Sequence, residues 1–379
     1  MDFCYLCFAQ SFVQLFKKII VHINKLCSEP MKSSNPTLKS IALKLGVSVS
    51  TVSRVINGKS SHYRISKETE LLILKAAKEL AYTPNQLARG LRLKRTNSIG
   101  YIIPDISNPF FASIAKSVEK SARKFGYSIL LCDSEENTEI ESSSLQLMLN
   151  RKIDGLIISP VGLEVNHLIN VAQKNIPIVL LDRYFPDLNI PFVTSDNYKG
   201  ALEAISLLID NGHTRIACIQ GLKNTSPNND RVRGYRDAHL KFDIEIDESL
   251  IVGDNFGEEN GYIETKMLLK KGNLPTAIFS VSNLISLGAI RAISEEGLKI
   301  PDDISMISFD DQPYSRFLAT PMTTVAQQSN QIGQIATKLL VDQIESNRNI
   351  EPKGIFLPTK MIVRDSVKRR VNLNLKSLG

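Results

Sequence analysis

The chain has 379 residues, enough for two or three domains with sizeable cores. It is 43% hydrophobic and 22% charged, and no apolar run approaches the ~20 residues of a helical membrane span, which speaks for a globular protein with no membrane partner. The formal charge of +7 says little as a total, but residues 31–97 hold thirteen Lys and Arg against three Glu, a net of +10, so the basic excess is packed into one segment. The five cysteines scatter without a disulfide framework, as expected of a protein in a reducing cytoplasm.

Residues 1–30 stand apart, with three of those cysteines and many aromatics. They lack the basic start and cleavage site of a secretory signal, and Lys17-Lys18 interrupts their apolar part. Cys4 and Cys7 have metal-ligand spacing but no second ligand pair, so neither a metal nor a cofactor is expected. An amphipathic surface helix is one reading; translation starting at Met31 is the favoured one.

Residues 37–57, TLKSIALKLGVSVSTVSRVIN, predict two short helices joined by a tight turn. Thr37 stands where an N-cap would, and Leu38, Ile41, Ala42 and Leu45 form one stripe at i, i+3, i+4, i+7. Gly46 lets the chain leave that helix, Val47 packs in the turn, and Ser48 can cap the second helix. Val52, Val55 and Ile56 are its apolar side; Val49, Ser50, Ser53, Arg54 and Asn57 share the other. Short side chains beside one guanidinium suit base edges in a major groove. A plain helical hairpin would have the same spacing, so the surrounding basic charge decides for nucleic acid. A third helix over 66–80 offers Leu71, Leu72, Leu74, Ala76, Ala77 and Leu80 to close a three-helix core. The intervening loop, NGKSSHYRIS, carries Lys59, His62, Tyr63 and Arg64, within reach of phosphates or a base edge, or simply solvated. After it, Pro84 suits a helix start, and 85–92 gives barely two turns, too short to stand alone.

Gly46-Val-Ser48, Thr51-Val-Ser-Arg54-Val and Asn57 resemble the DNA-reading domain of the lactose-repressor (LacI/GalR) family. Tyr82-Thr-Pro84-Asn85, Leu87-Ala88-Arg89-Gly-Leu91 and Ser98-Ile-Gly100 continue the likeness, which runs from Met31 to about residue 367. The resemblance implies a homodimer on double-stranded operator DNA; the contacts expected on it are Thr37, Ser48, Val49, Ser50, Thr51, Ser53, Arg54 and Asn57, with His62 of the loop as a further candidate. It also implies a hinge helix that orders on DNA, with Arg89 nearby and Leu91 wedged into the minor groove.

From Ser98 the texture changes. Apolar runs of strand length recur at 99–103, 127–132, 153–159, 176–181, 215–220, 276–281 and 304–309. Helical periods lie between them at 114–125, 145–152, 200–211, 260–271 and 284–296. Continuous apolar strands separated by helices imply an α/β body with parallel sheets covered on both faces. About 270 residues suit two doubly wound subdomains, the arrangement of periplasmic sugar-binding proteins that the family resemblance also implies, with crossings near 196, 327 and 355. The expected domains are an extension (1–30), a helix-turn-helix domain (31–82), a hinge (83–97), one subdomain from 98–196 with 328–355, a second from 197–327 with 356–370, and a tail (371–379).

In open α/β sheets ligands lie beyond the carboxyl ends of the strands. The segments at those ends are Asp105-Ile-Ser107-Asn108-Pro109-Phe110-Phe111, Asp182-Arg183, a polar loop ending in Asn229-Asp230-Arg231, then Phe256, Ser282-Asn283 and Asp310-Asp311. Carboxylates, amides and arginine suit neighbouring hydroxyls, and Phe faces cover a sugar's CH surface. The resemblance places Phe111, Asp182, Arg231, Phe256, Ser282 and Asp310 at effector-contacting positions, with Phe110, Arg183, Asn229 and Asn283 as further candidates. Either Phe could instead be core, and either Asp a helix cap. Ser282-Asn283 stands where the family often has Asn-Asp, which opens the choice from a sugar to a sugar acid or sugar phosphate partnered by Arg183 and Arg231.

The reading is a DNA-binding transcription regulator, with repression the expected mode, controlled by a small-molecule effector. A solute-binding protein of periplasmic type is the alternative, disfavoured by the basic N-terminal segment. For an enzyme there is no GxGxxG, GxxxxGK[ST], GxSxG or HExxH.

Overall fold

The computed structural model describes residues 36–82, 95–346 and 354–370. The expected hinge helix, with Arg89 and Leu91, and the extension and tail lie outside the described residues. Two compact units divide the chain, one ending at Arg89 and the other beginning at Gly90.

In the first unit, α1 (Leu38–Leu45) opens with a reciprocal cap: Ser40 N donates to Thr37 Oγ1, and Thr37 N donates to Ser40 Oγ. Gly46 closes it at φ +66, a left-handed conformation that costs glycine nothing. The second helix, α2 (Val49–Ile56), is capped by Ser48, which accepts from Thr51 N, and α3 (Lys67–Glu79) by Ser66 in the same way. Ile41, Ala42, Val52, Val55, Ile73, Ala76 and Ala77 form the core where the three helices meet. Sequence reading puts Leu71, Leu72 and Leu74 in that core; the structure exposes them at 61, 51 and 46% and turns Ile73 inward. Four consecutive apolar residues span a whole helical turn, and only one of them can face the other two helices.

The second unit holds two six-stranded sheets. The first contains β1 (Ser98–Ile103), β2 (Ser128–Asp133), β3 (Gly155–Ile158), β4 (Ile178–Leu181), β5 (Phe192–Ser195) and β11 (Gly354–Leu357), all parallel, in the order β11-β5-β4-β3-β1-β2. The second contains β6 (Ile216–Ile219), β7 (Ile251–Val252), β8 (Ala277–Ser280), β9 (Ser305–Phe309), β10 (Thr323–Ala326) and β12 (Lys360–Ile362), in the order β12-β10-β9-β8-β6-β7. Its strands are parallel except β12, which runs antiparallel to β10. The described helices of this unit are α4 (Pro109–Lys124), α5 (Thr138–Asn150), α6 (Asn166–Gln173), α7 (Asn197–Asp210), α8 (Ser226–Lys241), α9 (Glu258–Leu269), α10 (Asn283–Glu295) and α11 (Ser329–Ser346).

Central strands are buried throughout, as parallel sheets under helices require. The chain passes from the first sheet to the second after β5, back after β10, and over again after β11. Because β11 extends to Leu357, that third passage falls at Pro358-Thr359, slightly beyond the expected 355. Strand order reverses beside β1 in one sheet and beside β6 in the other, and each reversal opens a crevice at the carboxyl ends.

Candidate effector cleft and reading head

The two crevices share one pocket, lined by Asn108, Phe110, Phe111, Glu136, Asp182 and Arg183 from the first lobe and by Pro227, Arg231, Phe256, Ser282, Asp310 and Gln327 from the second and its connection. Phe110 and Phe111 begin α4, whose N-cap Asn108 accepts from Phe110 N. Asp182 directly follows β4 and Asp310 directly follows β9, and both hold left-handed backbone, φ 65 and 74. Such a conformation is uncommon outside glycine, and here it occurs at two matching strand ends facing one pocket. The Phe256 ring lies against Gly221, where any Cβ would overlap it.

Eight of the ten candidate residues line this pocket; Asn229 and Asn283 do not. Asn229 braces a turn by accepting from Asn224 N. Asn283 sits behind the wall, its Nδ2 donating to Asn108 Oδ1 across the lobes (3.3 Å) and its N donating to Asp310 Oδ2 (3.4 Å). The segment read as a polar loop ending at Arg231 is instead the start of α8. Sequence reading missed Glu136 and Gln327, which follow β2 and β10, and Pro227; it quoted Asn108 without selecting it.

Both arginines are already engaged. Arg183, 4% exposed, donates through Nη1 and Nη2 to the two oxygens of Glu136 at 2.7 and 2.5 Å, and its guanidinium lies 5.2 Å from the Phe256 ring centroid of the other lobe. Burial disfavours its charge, but Glu136 outweighs that and raises its pKa. Arg231, 3% exposed, donates from Nε to Asn197 Oδ1 and from Nη1 to Val281 O, and stacks 3.8 Å over Phe309. Burial lowers its pKa, with Asp310 and Asp182 opposing. An anion seeking the expected fork would find the Arg183 fork filled by a carboxylate.

Burial pushes Asp182 up to about 6, Arg231 and Arg183 opposing. Asp310 is also raised by burial, against Arg231 and a hydrogen bond from Gln327 Nε2 (2.5 Å). Asp182 Oδ1 and Gln327 Oε1 are buried acceptors without a protein partner, and Arg183 Nε is a buried donor without one. A ligand that both donates and accepts single hydrogen bonds matches this inventory, and aromatic faces from both lobes match an apolar ring surface.

In the first unit, Arg54 and Ser50 are exposed, Val49 is 40% exposed, and Ser53 and Asn57 are half-buried on the same side of α2. Asn57 Nδ2 donates to Ser53 O, holding the last turn. Thr37 and Ser48 are committed to caps, and Thr51 Oγ1 bonds Ser48 Oγ. His62 lies in the loop after α2, edge-on to Tyr63.

Residues 37–85 match the bacterial regulatory proteins of the lacI family, and residues 96–362 match the periplasmic binding proteins and sugar-binding domain of the LacI family. The HTH-type transcriptional regulator DegA of Bacillus subtilis is 37% identical over 334 residues, covering 87% of this chain and 97% of its own length. Among solved structures, the lac repressor dimer bound to operator and the anti-inducer ONPF is 26% identical with a TM-score of 0.78, covering 88% of this chain and all of that one. A LacI family transcriptional regulator from Enterococcus faecium with bound ribose is 27% identical with a TM-score of 0.65, covering 72% of this chain and all of that one. A match that spans the reading head as well as the two-lobed body leaves no ground for the solute-binding alternative. The chain belongs to the LacI family of DNA-binding transcription regulators.

Proposed function

We propose that this regulator binds a neutral polyhydroxy compound of the sugar class in its cleft, and that the occupied cleft sets its affinity for operator DNA. The observation that carries the ligand class is the engagement of Arg183 by Glu136, which leaves the pocket with isolated donors and acceptors rather than a free cationic fork. Hydroxyls donate to Asp182 and Gln327 and accept from Arg183 Nε, while the Phe rings cover the sugar's CH faces. A sugar acid or phosphate would add a negative charge to a wall already holding Glu136, Asp182 and Asp310. The ribose in the Enterococcus faecium relative supports the same class.

On DNA, Val49, Ser50 and Arg54 read bases from α2, and the 83–97 segment transmits the state of the body as a homodimer's paired hinges, with Leu91 in the minor groove. The protein does this in the cytoplasm and catalyses no reaction. The test is a thermal-shift panel on the full chain with neutral pentoses and hexoses, the corresponding aldonic acids and sugar phosphates. A neutral sugar at a hundred times its Kd contributes about 2.7 kcal/mol and raises the melting temperature by several degrees. Stabilisation by acids or phosphates alone, or by no sugar at all, would overturn the ligand class.

A further inference from the structure

We infer that Tyr63 is a positioning residue for Arg54, presenting its guanidinium to a base by holding one flat face of it; this rests on the reading of α2 as the DNA-contacting helix. The Arg54 guanidinium lies 4.0 Å from the centroid of the Tyr63 ring. The His62 ring stands edge-on to Tyr63, with ring centroids 4.8 Å apart and an interplanar angle of 87°. Among the described residues Arg54 forms no ion pair and no side-chain hydrogen bond, although carboxylates are the usual partners of surface arginines. That difference matters chemically. A carboxylate would occupy the N–H donors that a guanine edge needs, whereas a ring under the flat face leaves all five in-plane donors open.

The ring itself is held by backbone. Lys59 N donates to Arg54 O (2.9 Å), tying the loop to the last turn of α2. Tyr63 N donates to Lys59 O, Arg64 N to Ser61 O, and Ile65 N to Ser60 O (2.9 Å). Ser60 is buried, and Ile65 packs against the three-helix core. Tyr63 therefore stands on a clamped turn, 43% exposed, with one face on Arg54. A long arginine side chain loses rotamer freedom when it engages a base; a ring that already confines it reduces that loss and narrows the directions it can point. The consequence is selectivity at one base pair rather than general adhesion to phosphates.

The experiment uses the full chain and a duplex selected by the wild-type protein from a randomised pool, together with single-base-pair variants of that duplex and one unrelated duplex. Y63F keeps the ring and should keep the parent's discrimination. Y63A and Y63L should each lose about two- to fivefold of discrimination, the ~0.5–1 kcal/mol of an exposed cation–π contact taken at 1.4 kcal/mol per factor of ten. The loss should fall at the base pair where R54A acts, with affinity for the unrelated duplex unchanged. R54A combined with Y63A should lose no more there than R54A alone. Melting curves establish that each variant folds, and Y63L fills the ring's place if Y63A does not. Equal weakening on every duplex, full discrimination in Y63L, or additive losses in the double variant would each overturn the inference. If R54A itself loses no base-pair preference, the failure lies with the reading of Arg54 and not with Tyr63.

Discussion

Lowering the pH from 7 to 5 should weaken sugar binding about tenfold, and Asp182 should carry the effect. Its carboxyl is buried, its Oδ1 has no protein partner, and burial pushes its pKa up to about 6 despite Arg231 and Arg183. A ligand hydroxyl donates best to the ionised form. With a pKa near 6, about nine-tenths of the free protein is ionised at pH 7 and about one-tenth at pH 5, so the apparent Kd rises about tenfold as the proton competes. The sign for folding is opposite. A carboxyl raised from 3.8 to about 6 binds its proton more tightly when folded, so it stabilises the fold at low pH and loses that contribution as pH rises from about 4 through 6. At 1.36 kcal/mol per pKa unit the loss is at most about 3 kcal/mol. Isothermal titration of the full chain at pH 5, 6 and 7, with D182N alongside, measures the first effect, and urea unfolding at the same pH values measures the second. D182N should bind sugar weakly at every pH and lack the slope. A Kd that is flat from pH 5 to 7, or a slope that persists in D182N, refutes the argument.

E136Q weakens the clamp on Arg183 at a carboxylate about one-third exposed, so it should cost about 1–2 kcal/mol of stability, and thermal shift should reveal binding of an aldonic acid or sugar phosphate that the parent ignores. If the parent already binds those anions as well as neutral sugars, Glu136 is not a charge filter. R54A should lower affinity by about 1–3 kcal/mol at one base pair in competition binding, and uniform loss on all duplexes would make Arg54 a phosphate contact. G288A sets a methyl against the Glu258 and Tyr262 backbone where α9 crosses α10, and should cost about 2–3 kcal/mol and several degrees of melting temperature; an unshifted melting curve would mean the helices separate freely.

Elements of uniform texture were legible in the sequence. Seven strands announce themselves as largely apolar runs, most plainly the central ones buried on both faces, as Ile216–Ile219 is. Among the strands that escaped, β5 and β10 read Phe-Val-Thr-Ser and Thr-Thr-Val-Ala; Thr194, Thr323 and Thr324 are buried with their hydroxyls bonded to Asp182 O, Arg364 O and Asp311, so polarity there does not mean exposure. Helix α8 hid for the same reason, since it buries Asn228, Arg231 and His239 and has no plain apolar stripe. In the pocket, residues after recognised strands were found. Glu136 and Gln327 were not, because the turn after β2 was passed over and β10 was not read as a strand. The arginines were placed but the partner of Arg183 was not: an ion pair between residues 136 and 183 is a product of the folded sheet, and it speaks against the anionic ligand that Ser282-Asn283 had opened.

The proposed switch couples a sugar in the cleft to DNA at the reading head. Fluorescence anisotropy of a selected operator duplex, titrated with the full chain in the presence and absence of a saturating neutral sugar from the thermal-shift panel, measures that coupling. The sugar should change operator affinity by roughly 5- to 150-fold, with no such change in R231A at the same sugar concentration. Equal affinity with and without a sugar that demonstrably binds would contradict it.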